Sequence, residues 1–172
     1  MGQSALLNPG LGFVIVPPTS PAVEPDLTGR IYRKLYAPFT IMNAAGGVEC
    51  AGELENVAVL SGAHHYNFYY FIRGVSNVGA VNRIRTFDFS RQTVRVGYRQ
   101  DWSGTVPPFR ADRFFVGDWV TFSFPQPISC KTYGKSPFMV IKTLTDNLSL
   151  GKAVITSTAG YSAQVTTLGP GP

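Results

Sequence analysis

Charge is scarce in this sequence. Acidic and basic residues make up 15% of it, against about a quarter in an ordinary soluble domain, while hydrophobic residues reach 44%. Few charges combined with many aromatics argue against a disordered chain. They suggest that part of the surface is covered by something other than water, such as neighbouring subunits. Histidine is limited to His64 and His65, and cysteine to Cys50 and Cys130. No CxxC pair or Cys/His spacing occurs, which argues against structural zinc. The two histidines are adjacent in a strand-like run, so they point to opposite faces and cannot chelate one ion together. There is no GxSxG elbow and no GxxxxGKT or GxGxxG phosphate loop. The expectation is a non-enzymatic protein with no metal and no cofactor. The cysteines are expected to be buried free thiols.

Long apolar runs are also missing. None approaches the length of a membrane-spanning helix, and Phe13–Val16 is too short for the core of a signal peptide. Gly2 invites a test for myristoylation, but Leu6 stands where that motif needs Ser or Thr. Synthesis in a cytoplasm, without a membrane anchor, is expected.

Lysine is absent from residues 73–113, although that segment holds the whole net charge of +5 as eight arginines against Asp88, Asp101 and Asp112. Arginine gives planar, bidentate contacts to carboxylates and phosphates, so an all-arginine cluster suits an ordered interface. The segment's centre, Val81–Trp102, reads as two strands around a turn near residues 90–92. Arg83, Arg85, Phe87 and Phe89 share one face of the first strand. In the second, Val94, Val96 and Tyr98 alternate with Arg95, Gly97 and Arg99. An arginine-rich hairpin is expected.

Residues 1–29 carry proline and glycine at a density that forbids a helix. They also contain the apolar patch Leu11, Phe13, Val14, Ile15 and Val16. An extended arm with such a patch lies on its own body or on a neighbour, and the expectation is that it serves association. A β domain follows over residues 30–168. His64–Gly74 is its most aromatic run, with Tyr66, Phe68, Tyr70 and Ile72 on the core face. Arg113–Phe124 is another strand unit, ended by Pro125 and Pro127, and residues 169–172 form an irregular tail. Strands at about ten-residue spacing with no clear helix predict an all-β fold, a single β-sandwich or barrel with an extended N-terminal arm.

Three binding chemistries are compatible with these residues. Arginines interleaved with aromatics suit single-stranded nucleic acid, but the absence of lysine makes nucleic acid the weaker choice. Tyr69, Trp102 and Trp119 can stack on sugar rings, as in a glycan-binding or tail- or fibre-associated domain. The third is subunit assembly. The layout resembles the small head decoration, or cement, proteins of tailed bacteriophages: an extended arm over Met1–Gly29, a compact β body from Arg30 and the Thr/Gly/Ala-rich stretch Gly151–Gly169. The resemblance implies a virion protein assembled in the host cytoplasm. Its partners would be the major capsid protein or other virion subunits, and it would bind between capsomers as a dimer or trimer. The residues expected to make partner contacts are Leu11, Phe13 and Ile15 of the arm and Arg83, Arg85, Arg95 and Arg99.

Overall fold

The computed structural model describes residues 2–10, 12–76, 78–102 and 104–172. Leu11 therefore lies outside the described residues. The N-terminal segment contributes β1 (Ala5–Leu6), β2 (Phe13–Ile15), β3 (Pro18–Thr19) and a 3-10 turn at Pro25–Leu27. The strands that follow are β4 (Gly29–Met42), β5 (Val48–Ser61), β6 (Tyr66–Gly74) and β7 (Ala80–Thr86). Then come β8 (Arg95–Arg99), β9 (Arg110–Arg113) and β10 (Val120–Ser129). Last are β11 (Met139–Lys142), β12 (Leu148–Ser157) and β13 (Ser162–Pro170).

These strands form two sheets packed face to face. Sheet I runs β1-β8-β11-β6-β5-β4, with β3 added beside β8, and sheet II runs β13-β12-β7-β10-β9-β2. Every pairing is antiparallel except that of β3 with β8. The fold is thus the expected β-sandwich. Alternation builds the core. Phe68, Tyr70 and Ile72 project from sheet I to meet Ile84, Phe122 and Ile155 of sheet II. Each such side chain contributes about 1.5–3 kcal/mol on burial. Tyr70 is buried completely, and its hydroxyl donates to the Leu168 carbonyl at 3.1 Å. A smaller cluster on the outer side of sheet I joins Leu27, Val57, Val59, Tyr69, Phe138 and Val140.

Several expectations change. Residues 81–102 are not a hairpin, because β7 belongs to sheet II and β8 to sheet I. Asp88 adopts φ 76°, which turns the following Phe89 inward. That ring is fully buried, edge-on to Phe68 at 5.9 Å, so Phe89 does not share a face with the arginines. The segment between β7 and β8 is therefore a crossover between sheets. The N-terminal residues are extended, as expected, but they lie on their own body. β1 and β3 pair with β8, β2 pairs with β9, and Leu7 and Val16 sit in the core. Pro125 and Pro127 do not end their strand. β10 continues to Ser129 across a register shift between Ser123 and Ile128, an irregularity where ladder donors are not needed. Residues 169–170 are not irregular either, since Gly169 and Pro170 pair with Ser149 and Leu148. His64 stands in a turn with φ 60°, ahead of β6 rather than in it.

Cys50 and Cys130 are not free thiols but a disulfide, fully buried, between β5 of sheet I and the end of β10 in sheet II. Their sequence separation of 80 gave no hint of proximity. A side chain on Gly74 would meet the Cys130 backbone at 2.5 Å, so glycine at 74 is what lets the two strands approach. By loop entropy a bridge of this span contributes about 4 kcal/mol. The double variant Cys50→Ala/Cys130→Ala should lose stability on that scale in urea unfolding. An unchanged midpoint would show that the bond does not form.

The N-terminal segment is also held by a polar cluster. Glu24, buried, accepts from Ser4 Oγ at 2.8 Å, Thr19 Oγ1 at 2.9 Å and Lys142 Nζ at 3.2 Å. Burial by itself would raise its pKa, but the hydrogen bonds and Lys142 outweigh it, and the net shift is downward. A carboxylate with a depressed folded pKa stabilises above its unfolded value, and that stability is lost as pH falls through the folded pKa. Melting temperature should therefore fall below the ordinary carboxylate range. Glu24→Gln should lower it at neutral pH and flatten that acid limb.

Candidate functional site: an arginine and aromatic sheet face

The outer face of sheet II is assembled by strand register. One outward row runs Phe13, Asp112, Thr121, Arg85, Val154, Gln164 across six strands, and the next runs Ile15, Arg110, Ser123, Arg83, Thr156, Ser162. Because side chains alternate along each strand, Arg83 and Arg85 share this face, and β10 carries it on to Arg110. Aromatic rings bed the cations. The Arg85 guanidinium lies 4.8 Å from the Trp119 ring centre and that of Arg110 lies 5.4 Å from Phe13. Trp119 is stacked on Phe114 at 4.1 Å, with Phe87 at 5.8 Å. Lys152 Nζ stands 4.8 Å over Phe87. Phe13, Phe114 and Phe115 are exposed along the same shallow groove, with Phe115 79% exposed, and Ile15 and Val116 are exposed too.

Arg113, the eighth arginine of the basic segment, faces the other way. It is buried and donates only to carbonyls: Gly117 at 3.2 Å, Leu7 at 3.3 Å, Gln92 at 2.8 Å and Phe89. Burial pushes its pKa down. It fixes the tight turn after β9, where Gly117 has φ 73°, and so positions Phe114 and Phe115.

The expected contact residues divide in two. Phe13, Ile15, Arg83 and Arg85 come together on sheet II. Arg95 and Arg99 lie on the outer side of sheet I. There Arg95 donates to Ser4 Oγ at 3.2 Å and to the Ser4 carbonyl. Arg99 forks onto Asp101 at 2.7 and 2.6 Å. Tyr69 and Trp102 flank Arg99 at 5.9 and 5.7 Å, beside a cavity of about 240 Å³ also lined by Phe138 and Ile31. Trp119 is on the opposite face, so the three sugar-stacking candidates do not form one platform. Burial raises the Tyr69 pKa to about 12, and its hydroxyl donates to the Leu27 carbonyl at 2.7 Å. Arg110 and Lys152 were the members of the sheet II face that local pattern did not single out. Arg110 was visible only as part of the basic segment, and Lys152 only as a residue of a late strand.

Charge pairing differs between the faces. Among the described residues the ion pairs are Lys34–Glu55, Arg73–Glu53, Arg99–Asp101, Lys142–Glu24 and Lys142–Asp26. All lie on the side of sheet I. Arg83, Arg85 and Arg110 take part in none. No group of three or more His, Cys, Asp or Glu residues is placed to hold a metal, and no helix is long and apolar enough to cross a membrane, among the described residues. Compared with known proteins, the chain matches no family model, no curated protein and no solved structure.

Arg113→Met should cost about 3–5 kcal/mol in urea unfolding, because it strands several buried carbonyls. Arg110→Met, on the exposed face, should stay within about 0.5 kcal/mol of the parent. Equal effects would remove the structural distinction drawn between the two arginines.

Proposed function

We propose that the protein is a non-enzymatic structural subunit that docks onto a larger protein assembly through the outer face of sheet II, in the role of a capsid decoration or cement subunit. The observation that carries this reading is the asymmetry of charge pairing. The ion pairs, made by Lys34, Arg73, Arg99 and Lys142, all stand on one face of the sandwich, which leaves Arg30, Arg33 and Arg95 outside them, whereas on the other face Arg83, Arg85 and Arg110 all lack an ion-pair partner among the described residues. Protein interfaces are rich in arginine and aromatics and poor in lysine. The exposed Phe13, Ile15 and Phe115 beside these guanidinium groups fit a partner that offers both carboxylates and apolar surface. The virion setting and the dimer or trimer state rest on the layout that resembles phage head decoration proteins. The expected partner is the major capsid protein or another virion subunit.

Single-stranded nucleic acid is the second reading, favoured by the stack of Arg85, Trp119 and Phe114. Stacking rings beside cations suit unpaired bases.

The Arg83→Ala/Arg110→Ala variant should stay folded and lose co-sedimentation with assembled shells, with one or two positions worth about 2 kcal/mol or more. Arg95→Ala/Arg99→Ala should bind like the parent. The reverse pattern would move the docking surface to sheet I. Oligonucleotide binding by the isolated protein that falls steeply with salt, without shell binding, would favour the second reading.

A further inference from the structure

Within the docking face, we infer that Arg85 and Thr121, flanked by Arg83 and Arg110, form a cradle for one carboxylate side chain of the partner protein. This rests on the reading of sheet II as the docking face. Two orphaned atoms carry it. Arg85 Nε and Thr121 Oγ1 are both shielded from solvent and both lack a hydrogen-bond partner. The two residues face each other directly across β7 and β10, on the same outward row. A buried polar group without a partner costs folding free energy, so two of them side by side mark a place where a ligand completes the bonding. Nε can only donate, and a threonine hydroxyl can donate as well. The group that satisfies two adjacent donors is an oxyanion.

The surroundings set its charge and its source. Arg83 lies two residues from Arg85 along β7, about 7 Å away, and Arg110 lies two strands from Arg83, about 10 Å away. Both add positive potential. Asp112, next to Thr121 on the far side, limits the cradle to one anion at that end. Phe13 and Phe115 line the same groove and are exposed. An acidic protein segment buries these rings while its carboxylate reaches the donors, whereas a free phosphate ion leaves them in water.

The probe is hexaglutamate, added to the whole chain carrying Trp102→Phe, so that emission reports Trp119 alone. Inorganic phosphate and a twelve-residue oligothymidylate serve as the other arms. Hexaglutamate should give a saturable change. Arg85→Lys, which keeps charge but loses Nε, should weaken it about tenfold, the loss of one charge-assisted hydrogen bond. Thr121→Val should weaken it similarly, and it should raise the melting temperature of the free protein by removing the orphan hydroxyl. A lowered melting temperature with unchanged hexaglutamate binding in Thr121→Val would make the pair simple packing and end the proposal. Tighter binding of the oligothymidylate would assign the cradle to phosphate instead. If Arg83→Ala/Arg110→Ala abolishes shell binding while Thr121→Val and Arg85→Lys bind shells and hexaglutamate normally, the docking face stands and the cradle does not. If the cradle variants lose hexaglutamate but shell binding survives Arg83→Ala/Arg110→Ala, the docking reading fails instead.

Discussion

The buried guanidinium of Arg113 is the contact on which the arrangement of this molecule depends. It gathers the carbonyls of Leu7, Phe89, Gln92 and Gly117, which belong to the N-terminal segment, the crossover between sheets and the turn after β9. Lysine, with a single terminal nitrogen, could not bridge three segments in this way. By holding Phe89 and Gln92 it fixes the place where the chain leaves sheet II for sheet I. That crossover divides one cationic stretch of sequence into two separate surfaces.

The two surfaces then take different physical characters. On sheet I, several cations are matched by neighbours: Glu55 takes Lys34, Glu53 takes Arg73 and Asp101 takes Arg99, while Arg30 and Arg33 of β4 stand outside the ion pairs. Arg95 and Glu24 there serve to anchor the N-terminal segment. On sheet II, cations rest on aromatic rings instead of carboxylates. Rings hold a guanidinium in place without cancelling its charge, so these groups remain free to pair with an incoming acid. The Cys50–Cys130 bridge ties the two sheets together.

What the sequence made legible was local. Alternation gave the core face of β6 correctly, because Tyr66, Phe68, Tyr70 and Ile72 stand in one strand whose parity is undisturbed. The same reasoning put Arg83 and Arg85 together on one strand face, which the register of β7 bears out. It failed where a single residue changes direction. Asp88 with a positive φ turned Phe89 inward, and no period-two pattern carries that information. Partnerships across long separations were equally hidden. Cys50 with Cys130, Arg113 with Leu7 and Arg110 beside Arg83 are set by strand order, which composition and spacing do not encode. The N-terminal prolines were rightly read as extended, but extended chain can lie in a sheet as easily as outside one. Leu7 and Val16 show which.

The uneven pairing of charge has a kinetic consequence. Positive groups on one broad side, opposite a side where several cations are paired, give the sandwich an electric dipole along its thickness. Such a molecule turns in the field of a negatively charged surface before it touches, over a range of about 10 Å at moderate salt. On the docking proposed above, it would arrive with sheet II leading, so that most collisions would begin in the productive orientation. Added salt would slow capture far more than it would hasten escape.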